Sequence, residues 1–191
     1  MWYSVRPMSG FELIILDFDG TFTDVEREAI PFLDRYREGL ARLAGAPIDA
    51  LWERALAIVR EDPDAHGYRF DGRIVAPSHA DPYILSSCVS RLVMRELGQP
   101  EDRPDLEPLF IEAYGHADTV FRPDAAEVAE ALLADGAPVY VVTNSRTDVV
   151  TAKLERLADD LTARLEVRGG ARKFDLVEAT DPSPLFAAVA E

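Results

Sequence analysis

Two short apolar runs, more than a hundred residues apart, set the frame into which the rest of this chain must fit. Residues 11–18 read FELIILDF and residues 138–143 read PVYVVT. Each run stops abruptly at polar residues, Asp17-Phe18-Asp19-Gly20 in the first and Asn144-Ser145 in the second. Nearly continuous runs of this length predict strands buried on both faces of a parallel sheet. Helical patterns flank the second run. DAAEVAEALLAD precedes it, with Asp124 expected as the N-cap and Gly136 just past the end. TDVVTAKLERLADDL follows it, with Ser145 or Thr147 expected as the cap, and a weaker strand candidate lies at residues 164–167. Helix, strand, helix and strand in succession predict an α/β fold.

The stretch between the two runs is mostly helical. Residues 31–44 read as a helix stopped by Gly45, and residues 49–61 as a second with Asp49 at its N-cap and Leu51, Ala55, Ile58 and Val59 on its apolar side. Asp81-Pro82 opens a third, through Leu97, with proline at the first helical position and Gly98 at the stop. Residues 107–117 form a fourth. Tyr68-Arg69-Phe70 and Arg73-Ile74-Val75 flank Asp71-Gly72, which reads as a β-hairpin or a plain turn. The expected organisation is a core of residues 1–23 and 118–191, interrupted by a helical insertion at 24–117.

Charge and cysteine content narrow the function classes. The 191 residues carry 35 acidic against 20 basic side chains, a formal charge of −15. Nucleic acid and anionic lipid both require a basic footprint, so neither is an expected partner. The single cysteine, Cys88, can form neither an intrachain disulfide nor a cysteine-built zinc site, and falls among core positions of the third insert helix. No apolar run approaches the roughly 20 residues of a membrane span. The first residues, MWYSVRPMSGF, lack the apolar stretch of a signal peptide. The expected setting is soluble, reducing and cytoplasmic.

Asp17 and Asp19 are two apart at the end of the first strand, so alternation sends both side chains the same way. Ligands of open parallel sheets bind beyond the carboxyl ends of the strands. Two carboxylates there can divide the work of nucleophile and general acid/base, or can simply end a strand and cap the next turn. Other candidates carry less. His66, His79 and His116 have no ligand spacing, Gly169-Gly170 reads as a turn rather than a phosphate cradle, and Arg35 and Arg37 read as a solvated helix face.

The longer string Asp17-Phe18-Asp19-Gly20-Thr21, after an apolar strand, resembles the first motif of the haloacid dehalogenase-like hydrolase superfamily, phosphatase branch. VVTNS at 141–145 resembles its second motif, and the helical insertion resembles its cap domain. The resemblance implies a Rossmann-like parallel-sheet core with an inserted helical cap. It implies that Asp17 attacks phosphorus to form an aspartyl-phosphate. Asp19 would protonate the leaving alkoxide and then activate water. Thr143 and the backbone N–H of Asn144 would hold phosphoryl oxygens, and Mg²⁺ would bind the Asp17 carboxylate and the Asp19 carbonyl. A carboxylate attacking a phosphate dianion on so acidic a protein needs a hard cation. Family members that displace halide from carbon usually lack the second aspartate, so Asp19 favours phosphate ester hydrolysis. A cap of this size implies a small phosphorylated metabolite as substrate.

The family's third motif is a lysine. Lys153, mid-helix in TAKLERL, reads as a solvated surface residue, and Lys173, just beyond the weaker strand, is the expected one. The fourth motif, one or two aspartates after a further apolar strand, has no counterpart. Asp175 follows Lys173 too closely, and Asp181 reads as the N-cap of a short helix through Ala190. The core is thus expected to lack its usual last strands, in either a shortened form of a longer protein or a degenerate member. The alternatives to a phosphatase are a catalytically silent phosphate-binding or interaction protein on the same fold, and a phosphomutase.

Overall fold

The structure, a computed structural model, describes residues 11–70 and 72–174. In chain order its elements are β1 (Ile14–Leu16), α1 (Val25–Ala44), α2 (Asp49–Glu61), β2 (Tyr68–Phe70), β3 (Arg73–Ala76) and α3 (Pro82–Glu96). There follow α4 (Leu106–Tyr114), α5 (Ala125–Leu133), β4 (Val139–Val142), α6 (Thr147–Leu157), α7 (Leu161–Arg164) and β5 (Glu166–Arg168). The described residues up to Asp24 and from Thr119 onward form one compact unit, and Val25–Asp118 forms another.

The first unit is α/β, with a parallel three-stranded sheet in the order β1-β4-β5. Ile14, Ile15 and Leu16 pair with Val139, Tyr140 and Val141, and the last three residues of β4 pair with β5. Val139, Val141 and Val142 are buried, as a strand with neighbours on both sides should be. β1 corrects the expectation of a strand buried on both faces. It is an edge strand among the described residues, its three side chains are half-buried, and it is shorter than the apolar run because it pairs only where it meets β4. Phe18, Phe22, Val139, Val141, Val150, Leu154 and Leu161 build this unit's core. At its boundary, residues 22–24 run antiparallel to 120–122, with Arg122 N–H on Phe22 O at 2.9 Å and Asp24 N–H on Val120 O at 2.8 Å.

The second unit is helical with one small hairpin. β2 and β3 pair antiparallel around Gly72, whose φ of 77° suits glycine in a tight reversal. Its core is aromatic: the Phe32 ring lies 5.3 Å from Tyr36, 4.9 Å from Tyr83 and 5.1 Å from Phe110. Cys88 is buried in the same cluster, and burial pushes its thiol up to about 11. Asp81 caps α3 as expected, accepting from Ile84 N–H at 2.7 Å.

Other helix ends differ from the sequence reading. α1 begins at Val25, so Pro31 sits inside it. Pro31 has no N–H to donate to the carbonyl of Arg27, four residues earlier in the helix. Glu26 and Glu28 in the first turn favour the early start. Asp49 is the first residue of α2 rather than its cap, Ile48 holding that place, and its carboxylate accepts from Arg37 at 3.2 Å. Asp124 stands at the cap of α5 but makes no side-chain cap bond. Ile58 is 38% exposed rather than core. The strand expected at 164–167 runs instead from Glu166 to Arg168, after the unforeseen turn of helix α7.

Candidate active site

Parallel pairing in register sends β1 and β4 out of the sheet at the same end. Asp17 is the first residue past β1 and Thr143 the first past β4. Thr143 N–H donates to Arg168 O at 3.1 Å, so the end of β5 belongs to the same edge.

The exit of β1 is a tight turn pinned by Phe18, which is fully buried and stacks on Phe22 at 5.8 Å. Phe18 O accepts from Thr21 N–H and Phe22 N–H. Gly20 takes a φ of 77°, and its N–H meets Thr23 Oγ1 at 3.3 Å while its carbonyl accepts from Arg122 Nε at 2.8 Å. With Phe18 facing the core, the flanking Asp17 and Asp19 are left more open to solvent.

Asp17 Oδ1 accepts from Phe18 N–H and pairs with Lys173 Nζ, each at 2.7 Å. The Lys173 and Asp17 side chains are 29% and 49% exposed, so this ion pair is weak and open to exchange with another anion. Asp19 Oδ2 accepts from Ser145 Oγ at 3.0 Å. Ser145 N–H in turn donates to Thr143 Oγ1 at 3.1 Å. Lys173 N–H donates to Asn144 Oδ1 at 2.7 Å. Two short chains of contact, Asp17–Lys173–Asn144 and Asp19–Ser145–Thr143, therefore bring all five expected residues into one constellation. The N–H of Asn144 and the hydroxyl hydrogen of Thr143 have no acceptor among the described residues. Both are donors ready for an anion.

Two residues have roles that the sequence did not give. Ser145 and Thr147 were expected as caps of α6, but Arg146 holds that position and neither side chain caps. Ser145 bonds Asp19 instead, and Thr147 Oγ1 accepts from Gly169 N–H at 3.0 Å. Lys153 is not simply a solvated lysine: its Nζ lies 5.6 Å from the Phe18 ring, beneath the turn that carries both aspartates. Gly169 and Gly170 do form a turn and not a phosphate cradle, since their N–H groups bind Thr147 and Ser145. Arg35 and Arg37 pair with carboxylates on the helix surface, and His79 and His116 are exposed.

The donors for a hard cation are oxygens: the Asp17 carboxylate and the Asp19 carbonyl. Asp17 Oδ2 and the Asp19 carbonyl take no hydrogen bond among the described residues. One carboxylate and one carbonyl suit Mg²⁺, which keeps several waters and shares substrate phosphate. No group of three or more His, Cys, Asp or Glu side chains is gathered for a metal among the described residues. Asp175 and Asp181 lie outside them.

Two solved structures are similar to the chain. One is the HAD-hydrolase YfnB from Bacillus subtilis bound to magnesium, with 15% identity and a TM-score of 0.45 over 90% of this chain and 74% of that one. The other is a dehalogenase with an intermediate complex, with 22% identity and a TM-score of 0.40 over 95% of this chain and 71% of that one. No curated protein matches. No helix among the described residues is long and apolar enough to cross a membrane. The sequence model of the haloacid dehalogenase-like hydrolase family matches residues 11–189, nearly the whole chain, and with both strand exits in place the chain belongs to that family.

Proposed function

We propose that this hydrolase is a phosphatase acting on a small phosphorylated metabolite through an aspartyl-phosphate. The observation that carries the reading is the pairing of two carboxylates with separate partners, Lys173 on Asp17 and Ser145 on Asp19. A hydrolase that displaces halide from carbon needs only the first carboxylate, whereas phosphate ester hydrolysis needs an acid for the leaving alkoxide.

In the first step a carboxylate oxygen of Asp17 attacks phosphorus and the ester P–O bond breaks. Asp19 gives its proton to the departing alkoxide. In the second step Asp19 takes a proton from water, whose oxygen attacks phosphorus, releasing inorganic phosphate and restoring the Asp17 carboxylate. Thr143 Oγ and the Asn144 N–H offer their uncommitted hydrogens to phosphoryl oxygens, and Lys173 moves its charge from Asp17 to the incoming phosphate. Most of the catalytic work in phosphoryl transfer is positioning and electrostatics of this kind. Mg²⁺ would be held by the Asp17 carboxylate and the Asp19 carbonyl, and would supply positive charge against the repulsion between that carboxylate and a phosphate dianion. The helical unit, Val25–Asp118, is the part we assign to substrate selection.

The test is hydrolysis of p-nitrophenyl phosphate with and without Mg²⁺. Turnover should require the cation and cease on chelation. Asp17→Asn should abolish turnover without loss of fold, because the amide keeps the shape but is a poor nucleophile. Undiminished turnover in that variant would rule out the aspartyl-phosphate route.

A further inference from the structure

The segment that delivers Lys173 does not hold itself in place. Gly169 N–H donates to Thr147 Oγ1 at 3.0 Å, Gly170 N–H to Ser145 O at 2.9 Å and Ala171 N–H to Thr143 O at 2.9 Å. The exit of β5 is thus laced, residue by residue, to the loop between β4 and α6. The lacing is close enough that a Cβ on Gly169 would fall 2.3 Å from Thr147 N and 2.5 Å from Ser145 O.

These three bonds stop two residues short of the lysine. Between them and Lys173 stands Arg172 with a φ of 50°, the sole non-glycine residue in the left-handed region among those described. A side-chain-bearing residue keeps that conformation only where its surroundings dictate it. What lies beyond it is the bond from Lys173 N–H to Asn144 Oδ1, at 2.7 Å the shortest of the series. Lys173 Nζ then reaches Asp17 Oδ1, also at 2.7 Å.

From this geometry we infer that Asn144 has a second task besides its backbone N–H: its carboxamide oxygen is the positioning group for Lys173. Its kinetic consequence rests on the phosphatase reading, and its structural one on the bond from Lys173 N–H to Asn144 Oδ1. A lysine side chain has four rotatable bonds and reaches its target reliably only from a fixed backbone. The ion pair with Asp17 cannot supply that fixing, because both partners are substantially exposed. Asn144 can, since its bond falls on the Lys173 backbone itself. Asn144 is itself exposed, so its truncation opens no core and the fold should survive.

The chain has only two lysines, Lys153 and Lys173, so reductive methylation with ¹³C-formaldehyde gives two side-chain NMR signals besides that of the terminal amine. Asp17→Asn identifies the Lys173 signal and marks its position when the carboxylate is absent. Asn144→Ala should move the Lys173 signal toward that position and leave Lys153 where it is. Asn144→Asp, which keeps an acceptor oxygen, should bring it back toward the parent position. With p-nitrophenyl phosphate, Asn144→Ala should lose about 10–100-fold in kcat with little change in KM, as a misplaced catalytic group does. The Asn144→Ala/Lys173→Ala double variant should be no slower than Lys173→Ala alone, because the asparagine acts through the lysine. A Lys173 signal unmoved by Asn144→Ala, or additive losses in the double variant, would overturn the inference. If the parent protein does not cleave p-nitrophenyl phosphate at all, the phosphatase reading falls and the NMR comparison still decides whether Asn144 places Lys173.

Discussion

Phe32 in the helical unit meets Tyr36, Tyr83 and Phe110 ring to ring, and Tyr36 adds a buried hydroxyl bond to Ser90 at 2.9 Å. The polar residues of the α/β unit are held in another way. There the segment after β5 donates its backbone N–H groups to carbonyls of the loop after β4 and to the Thr147 and Asn144 side-chain oxygens, with a glycine where a side chain would not fit. The difference teaches how each unit spends its side chains. Val25–Asp118 commits its large ones to a core, and stability there scales with buried volume. The α/β unit leaves Ser145, Asn144 and Thr147 free of capping duty and commits them to geometry at one sheet edge.

The largest effect is expected where volume is removed. Phe32→Ala should destabilise the protein by about 3–5 kcal/mol, the usual cost of emptying an aromatic core site. Hydrogen exchange should rise first across α1, α3 and α4, whose buried residues share a cluster with Phe32. Equal loss of protection in β4 and α6, which belong to the other core, would break the division between a packed unit and a positioned one.

This division also governs what could be read from the sequence. The apolar runs and the Asp17-Phe18-Asp19-Gly20 string were legible because β1's exit is held locally: Phe18 O takes both Thr21 N–H and Phe22 N–H, and Gly20 N–H meets Thr23. Helices of the insertion were legible from spacing, and Asp81 from the proline after it. The roles of Ser145 and Thr147 were not. A serine or threonine before a helix reads as a cap because that use is local, whereas their partners here, Asp19 and Gly169, are 126 and 22 residues away in sequence. The contact of Lys153 with the Phe18 ring was hidden for the same reason, since only the fold brings the two together. The early start of α1 was hidden by Pro31, which normally marks a first turn and here sits in the second.

A second expectation sharpens the positioned half of the comparison. Gly169→Ala adds one methyl group at a half-buried turn. Here the added carbon meets backbone atoms of Ser145 and Thr147, so the lacing must shift. The cost should be about 1–3 kcal/mol, as for overpacking elsewhere. Exchange protection should fall in residues 143–147 and 168–173 and stay unchanged in the helical unit. A variant as stable as the parent, with Lys173 still on Asp17, would mean that backbone lacing does not set this edge.

The smallest effect concerns pH, and it too should divide between the units. Burial raises the Tyr36 and Tyr68 hydroxyls above their ordinary range and pushes the Cys88 thiol from 9.0 to about 11. All three belong to the helical unit. Each is an acid whose folded form ionises later than its unfolded form, so in alkali the unfolded state binds fewer protons and stability falls as pH rises. The contribution of Cys88 is intact below its ordinary value and is lost between 9.0 and about 11. The shifted groups of the α/β unit are surface pairs, Arg146 with Asp148 and Arg164 with Glu130 and Asp160, whose shifts extend their charged range rather than end it. Melting followed across this interval should therefore fall less steeply in Cys88→Ala than in the parent protein. Cys88→Ala also removes little volume, so its own baseline shift is small and separable from the slope. Identical slopes would show that the thiol titrates alike in the folded and unfolded states, and would leave the alkaline sensitivity of the helical unit to Tyr36 and Tyr68, where tyrosinate absorbance tracks it directly.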